Sequence, residues 1–140
     1  MGIPKNAKVD LLKRTPLFAD CSKAELGALA LIADELDLRE GTELTREGRA
    51  GREFFVLIEG TVSVTQKGKP IGDLGAGDWL GEIALMTDTP RTATATASSP
   101  LRVLVLTDRG FRQAVKGMPT IALKVLDKVG ERLAHDAHAR

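Results

Sequence analysis

Residues 77–93 read Gly-Asp-Trp-Leu-Gly-Glu-Ile-Ala-Leu-Met-Thr-Asp-Thr-Pro-Arg-Thr-Ala, and this stretch decides how the chain is interpreted. Gly81 has no side chain to keep a ligand away from the backbone. Residues 82–86 are good helix formers in a short run, so they predict a turn whose N–H groups and positive dipole end suit an anion. Arg91, nine residues beyond Glu82, can bring a guanidinium fork to the same anion.

Glu82 is unexpected in an anion site, because a carboxylate repels phosphate. It fits if the ligand also carries a hydroxyl, since a carboxylate is purely a hydrogen-bond acceptor. An anion and a neighbouring hydroxyl in one small ligand describe a ribose phosphate.

Short strands surround this stretch, separated by closely spaced glycines. Residues 54–58 are an apolar run that fits a buried strand, residues 61–65 and 92–97 alternate, and residues 101–106 form a last β-rich run. Many short strands with frequent turn signals predict a sandwich or a barrel. We interpret residues 36–107 as an antiparallel, jelly-roll-like β-roll with a short phosphate-binding helix inserted.

Helices are predicted on both sides of the roll, which makes the fold class α+β, mainly β. In the N-terminal helical part, about residues 8–34, Ser22 and Glu25 form the pattern of a capping box. At the other end, about residues 108–138, the sequence predicts a hinge helix and a lid helix separated by Gly117-Met118-Pro119. We expect one domain over residues 1–140.

The last predicted helix carries a wide apolar stripe: Ile121, Ala122, Val125, Leu126, Val129, Leu133 and Ala137. Such a stripe packs on something. Two partners stay open and are not exclusive: the core of the same chain, or the same helix of a second copy in a homodimer.

Composition limits the function classes. The 140 residues carry a net charge of +1, so no strong overall field draws the protein to nucleic acid or membrane. The lone Cys21 is compatible with a reducing cytoplasm, and we expect neither a signal peptide nor a membrane span. Nor do we find a catalytic constellation or a metal cluster, so we expect neither an enzyme nor a metal site.

Residues 81–85 and 90–93 resemble the phosphate-binding cassette of cyclic-nucleotide-binding domains, a family that includes catabolite-activator-type transcription factors, regulatory subunits of cyclic-nucleotide-dependent kinases and cyclic-nucleotide-gated channels. Glu47-Gly48 and residues 54–64 are similar to the family's first hairpin, and residues 74–78 are similar to its approach to the cassette. The resemblance covers about residues 10–135.

The resemblance implies a ligand-binding set at Gly81, Glu82, Ile83, Ala84, Arg91 and Thr92. Arg91 would pair with the phosphate, and Glu82 would accept a hydrogen bond from the ribose 2′-hydroxyl. The amides of Ile83 and Ala84 would donate to the phosphate, while the Gly81 backbone would contact the ribose. The hydroxyl of Thr92 would touch phosphate or base. An apolar wall for sugar and purine would come from Val64, Leu74 and Leu80. Asp136 or Arg132 would serve as the cap over the base.

The resemblance implies a regulatory receptor for cAMP, which we favour, or for cGMP, with no cofactor. Ligand binding would switch its conformation and act on a protein effector or a fused domain. No direct nucleic-acid contact is expected, because we find no helix-turn-helix.

For Gly81-Glu82 alone, a strand-to-helix turn with Glu82 complementing the helix dipole is the simpler interpretation. The alternative function is a nucleotide-independent protein-interaction module that retains the roll.

Overall fold

The protein is described from a computed structural model, which covers residues 4–81 and 89–139, with side chains described as far as residue 131. The short phosphate-binding helix predicted after Gly81 lies outside the described residues. The described chain divides into a helical unit, with residues up to 32 and from 109 onward, and a β unit, residues 33–108.

The described part of the β unit, residues 33–81 and 89–108, contains eight strands in two antiparallel four-stranded sheets. Their bounds are β1 Asp34–Leu38, β2 Glu43–Thr45, β3 Glu53–Glu59, β4 Val62–Gln66, β5 Lys69–Leu74, β6 Trp79–Leu80, β7 Thr94–Ala97 and β8 Leu101–Thr107. One sheet has the order β1-β8-β3-β6 and the other β2-β7-β4-β5. The predicted antiparallel roll is confirmed.

The two sheets pack face to face through their alternating apolar positions. Phe55, Leu57 and Val103 from the first sheet share one buried cluster with Val62 and Ala95 from the second. Burying a side chain of this size contributes roughly 1.5–3 kcal/mol. The strongly apolar run predicted as a buried strand is β3, in which residues 54–57 are all buried.

One strand begins later than its sequence pattern suggested. The Thr-Ala alternation starts at Thr92, whereas β7 begins at Thr94. The backbone of Arg91 pairs with residues 48 and 49 instead of a strand of either sheet. The carbonyl of Thr92 accepts from Gln66 Nε2 at 3.0 Å.

The helical unit contains α1 (Lys5–Arg14), a 3-10 turn (Pro16–Phe18), α2 (Lys23–Ile32), α3 (Asp108–Gly117) and α4 (Thr120–Ala139). Asp108, the first residue of α3, belongs to the β unit. α1 packs on α2, and α4 contacts the 3-10 turn. The predicted break at residues 117–119 is present between α3 and α4. None of the described helices is both long and apolar enough to cross a membrane.

The predicted capping box opens α2. The Ser22 N–H donates to Glu25 Oε1 at 2.7 Å, and the Glu25 N–H donates to Ser22 Oγ at 3.2 Å. Glu25 is 2% exposed, yet its carboxylate also accepts from Thr120 Oγ1 at 2.5 Å and from Lys124 Nζ. We call Ser22, Glu25, Thr120 and Lys124 the Glu25 cluster.

These donors stabilise the charged form of the buried carboxylate. The Lys124 hydrogen bond, followed by those from the Ser22 backbone and Thr120, lowers the pKa of Glu25 to about 2. For the neighbouring thiol burial is the largest influence and, with the Glu25 charge, raises the pKa of Cys21 to about 11. The cluster therefore links α2 to the first turns of α4.

The apolar stripe of α4 divides into buried and exposed residues. Ile121, Val125 and Val129 are buried, as expected for core packing. Leu126, which the sequence placed beside them, is 52% exposed, and Leu123 is 65% exposed. These three residues are thus core, and Leu123 and Leu126 lie outside their row. The side chains of Leu133 and Ala137, also predicted in the stripe, lie outside the described residues.

Candidate functional site

Arg91 is held by its main chain against the connection between β2 and β3. Its N–H donates to the Arg49 carbonyl at 2.9 Å, and its carbonyl accepts from the Gly48 N–H at 2.8 Å. Gly48 has φ +84, a left-handed conformation that glycine adopts without a steric penalty. A pair of reciprocal backbone hydrogen bonds therefore fixes where the Arg91 side chain begins.

The guanidinium of Arg91 lies between two glycines and a strand end. Its Nη2 donates to the Glu53 carbonyl at 2.6 Å, at the start of β3. A Cβ at Gly51 would overlap the guanidinium, and a Cβ at Gly81 would stand 2.6 Å from both Arg91 Nη1 and the Glu53 carbonyl oxygen. We call Gly48, Gly51, Glu53 and Gly81 the arginine seat.

Gly81 is required at this position for two reasons. Its φ of +89 is in the left-handed region, which disfavours any side chain. The space where a Cβ would stand is also taken by the Arg91 guanidinium and the Glu53 carbonyl. The sequence suggested that this glycine lets a ligand approach the backbone, and the structure adds that it admits the arginine.

Threonine hydroxyls connect the loop before β3 to the strand after Arg91. Thr45 Oγ1 donates to the Ala93 carbonyl at 3.0 Å and accepts from the Ala95 N–H at 3.1 Å. The Glu47 N–H donates to Thr94 Oγ1 at 3.1 Å. These bonds on either side of Arg91 hold β2, the loop and β7 together, so the seat is part of the sheet framework.

The three apolar residues predicted as a wall lie in the β unit, partly buried against the same core cluster. Val64 is on β4 opposite Gly72, Leu74 pairs with Val62, and Leu80 is on β6. Thr92 is exposed at the end of the site, one residue after Arg91. The structure thus brings Gly81 to Arg91, with Leu80 next to it in sequence.

Several predicted site residues lie outside the described part of the chain. They are Glu82, Ile83 and Ala84 at the site itself. The side chains of the two alternative base caps, Arg132 and Asp136, are also outside it.

The sequence analysis missed the loop that seats Arg91. Gly51 and the Glu53 carbonyl were not singled out, although Glu47-Gly48 was part of the family resemblance. The signal available was the spacing of two glycines, at 48 and 51, in a segment with arginines at 46, 49 and 52. Such spacing indicates a tight loop but does not say which distant residue it receives.

The arrangement is suited to holding an anion. A guanidinium presents five N–H donors in a rigid planar fork, and here one of them is fixed on a backbone carbonyl, which orients the plane. Arg91 is partly exposed, so a ligand can reach it from solvent. Among the described residues, no group of His, Cys, Asp and Glu side chains could hold a metal ion.

Comparisons with known proteins agree with this arrangement. The family model described as "Cyclic nucleotide-binding domain" matches residues 35–117. The cAMP-dependent protein kinase regulatory subunit of Yarrowia lipolytica is 36% identical over 104 residues, which cover 73% of this chain and 28% of that protein. The chain therefore spans little more than a quarter of that relative's length.

Solved structures share the fold. The N-terminal domain of a transcriptional regulator from Streptomyces coelicolor A3(2) superposes with a TM-score of 0.80 at 29% identity, covering 93% of this chain and 96% of that one. The cAMP-bound structure of PfPKA-R has a TM-score of 0.71 at 25% identity, covering 90% of this chain and 47% of that one. With the family model matching more than half of its length, the chain belongs to the cyclic nucleotide-binding domain family.

Proposed function

We propose that this domain is a receptor for a cyclic nucleotide, with cAMP favoured over cGMP, and that Arg91 binds the cyclic phosphate. The arginine seat carries this proposal. Gly51 and Gly81 leave the space that the guanidinium occupies, and the Glu53 carbonyl fixes its orientation. A side chain positioned by so many contacts, yet still partly exposed, is suited to an external anion.

The other predicted residues complete the ligand site in this proposal. Glu82 accepts from the ribose 2′-hydroxyl, and the amides of Ile83 and Ala84 donate to the phosphate. The Gly81 backbone contacts the ribose, and Thr92 donates its hydroxyl to phosphate or base. The sugar and purine contact the apolar wall of Val64, Leu74 and Leu80.

The preference for cAMP rests on the names of similar proteins. The Yarrowia relative is a cAMP-dependent regulatory subunit, and PfPKA-R was solved with cAMP bound. We infer the same ligand here because Gly81, one of the cassette residues that suggested the family, lies against the Arg91 guanidinium. We further infer that the domain acts by binding rather than catalysis, and in the cytoplasm, where a free thiol such as Cys21 is common.

In this proposal, ligand binding changes the arrangement of the C-terminal helices, with a hinge at residues 117–119. That is a population shift, so the ligand must prefer one helix arrangement. The Glu25 cluster adds a constraint: the first turns of α4 are bonded to α2. Motion at the hinge therefore carries α2 and α4 together. The signal passes to a protein effector or a fused domain, without direct nucleic-acid contact.

We also propose that a second copy covers the exposed leucines of α4. Leu123 and Leu126 are three residues apart, so they share one face of the helix. A homodimer through this helix would bury both. Light scattering on the parent and on a Leu123→Ser/Leu126→Ser variant tests this, and a monomeric parent at high concentration refutes it.

The experiment that tests the receptor proposal is thermal unfolding with and without millimolar cAMP, cGMP and 5′-AMP. At a hundred times the Kd, a ligand adds about 2.7 kcal/mol of stability. We expect a shift with a cyclic nucleotide in the parent, none in Arg91→Ala, and the parent's shift in the matched control Arg39→Ala.

Arg39 is a suitable control because it is exposed and remote. It follows β1, whose last residue pairs with Leu101, whereas Arg91 bonds the start of β3, whose first residue pairs with Thr107. The two ends of β8 are about 20 Å apart. If no cyclic nucleotide stabilises the parent, the receptor proposal fails and the protein-interaction module replaces it.

A further inference from the structure

The loop that receives Arg91 is itself rich in arginine. Residues 46–52 read Arg-Glu-Gly-Arg-Ala-Gly-Arg. Two of the arginines have acidic partners: Arg46 pairs with Glu43 at 3.4 Å, and Arg52 with Asp108 at 3.1 Å. These two charges are thus partly balanced within the protein.

Arg49 differs from its neighbours. It is exposed, and among the described residues no carboxylate or carbonyl accepts from its guanidinium. Its backbone is well fixed, because its N–H donates to the Arg46 carbonyl at 3.1 Å and its carbonyl accepts from the Arg91 N–H at 2.9 Å. The fold therefore holds the backbone of Arg49 firmly, and within the described ranges 4–81 and 89–131 its exposed guanidinium has no acidic partner.

The backbone hydrogen bonds bring a second positive charge close to Arg91. The 2.9 Å hydrogen bond from the Arg91 N–H to the Arg49 carbonyl keeps the two Cα atoms within about 7 Å of each other. At 10 mM ionic strength the Debye length is about 30 Å, so an anion approaching Arg91 experiences the charge of Arg49 whichever way its side chain turns. At 1 M salt the Debye length is about 3 Å and that influence disappears.

We propose that Arg49 is an electrostatic capture residue that accelerates association of the anionic nucleotide with Arg91. This inference rests on the proposed receptor function and adds to it a residue outside the ligand-binding set. A charge at the rim of a site acts mainly on the association rate and its salt dependence, whereas a residue in contact with the ligand also controls dissociation.

The test is stopped-flow binding of a fluorescent cAMP analogue to the parent, Arg49→Ala, Arg49→Glu and the control Arg39→Ala, at 10 mM and 500 mM ionic strength. At 10 mM we expect the association rate to fall about threefold in Arg49→Ala and about tenfold in Arg49→Glu, as one or two unit charges near the site are removed. At 500 mM the differences should shrink below about 1.5-fold. The dissociation rates of the Arg49 variants should match the parent's, and Arg39→Ala, which removes a charge about 20 Å away, should slow association by less than about 1.3-fold at 10 mM.

The outcomes separate the two proposals. If the parent binds the analogue and Arg49→Ala associates at the parental rate in low salt, the capture proposal is wrong and the receptor proposal stands. A raised dissociation rate with an unchanged association rate also overturns it, because that pattern belongs to a contact or structural role. If the parent binds no cyclic nucleotide, the receptor proposal is wrong and the capture proposal with it.

Discussion

Arg91 in the β unit and Glu25 in the helical unit are both charged side chains held by several contacts, but they differ in how exposed they are and in which groups contact them. Glu25 is 2% exposed and accepts from a backbone amide, a hydroxyl and an ammonium, all from the protein. Arg91 is partly exposed, and the groups that position it include the Glu53 carbonyl and two glycines. A buried charge with its partners contributes to stability, whereas a positioned side chain that is still partly exposed can be reached by a ligand.

This contrast predicts opposite effects of two truncations. Arg91→Ala should weaken cAMP binding by two to three orders of magnitude, about 3–4 kcal/mol, because the bound phosphate loses its charge partner. The unfolding free energy of the ligand-free protein should change by less than about 1 kcal/mol. Isothermal titration calorimetry and urea unfolding measure the two quantities.

Glu25→Ala should do the reverse. It should lower the unfolding free energy by about 2–3 kcal/mol, at the low end for a broken buried pair because Lys124 can regain water. The affinity of the folded variant for cAMP should stay within about threefold. A Glu25→Ala protein with parental stability but lost binding would show that the division of roles is wrong.

Acid unfolding tests the contribution of the Glu25 carboxylate to stability. Because the pKa of Glu25 is lowered to about 2, its contribution is present above its ordinary pKa of 4.5 and is lost as the pH falls from there towards 2. Urea unfolding of the parent between pH 6 and pH 3 should show this loss. Glu25→Gln, which cannot titrate, should be less stable at pH 6 and should show a shallower fall.

Gly51→Ala tests the positioning of the Arg91 guanidinium with a smaller change than Arg91→Ala. The added methyl would displace the Arg91 guanidinium, so cAMP affinity should fall about 10- to 30-fold through mispositioning. Gly75→Ala is the matched control, because nothing lies within 4 Å of its Cβ position. Its affinity should equal the parent's. Equal affinities for both variants would mean that Gly51 does not help to position Arg91.

The capping box shows how far sequence reasoning reaches. Ser22 and Glu25 are three residues apart, and local spacing predicted both hydrogen bonds. The same carboxylate accepts from Thr120 and Lys124, 95 and 99 residues away, and no local pattern predicts that. Contacts within one turn of helix are encoded in spacing, whereas contacts between distant segments depend on how the elements pack.

The arginine seat follows the same rule. Arg91 was predicted from its spacing after Gly81, and the roll from its alternating strands. The carbonyl that orients Arg91 is 38 residues earlier in the chain and belongs to a backbone group, which any residue type supplies. Gly51 could be found only once the loop was seen against the guanidinium. The roles of Glu82, Ile83 and Ala84 stay predictions.

The pairing of the first and last strands has a consequence for modularity. The β unit is a continuous segment, while the helical unit is assembled from both ends of the chain. Asp34 on β1 lies opposite Val105 on β8, so the chain enters and leaves the β unit through neighbouring strands, with Cα atoms about 5 Å apart. The roll is therefore inserted in the sequence of the helical unit, and its two ends lie close together. Domains whose ends lie close together tolerate insertion and circular permutation. We therefore expect the roll to tolerate transplantation into another helical unit as one continuous segment.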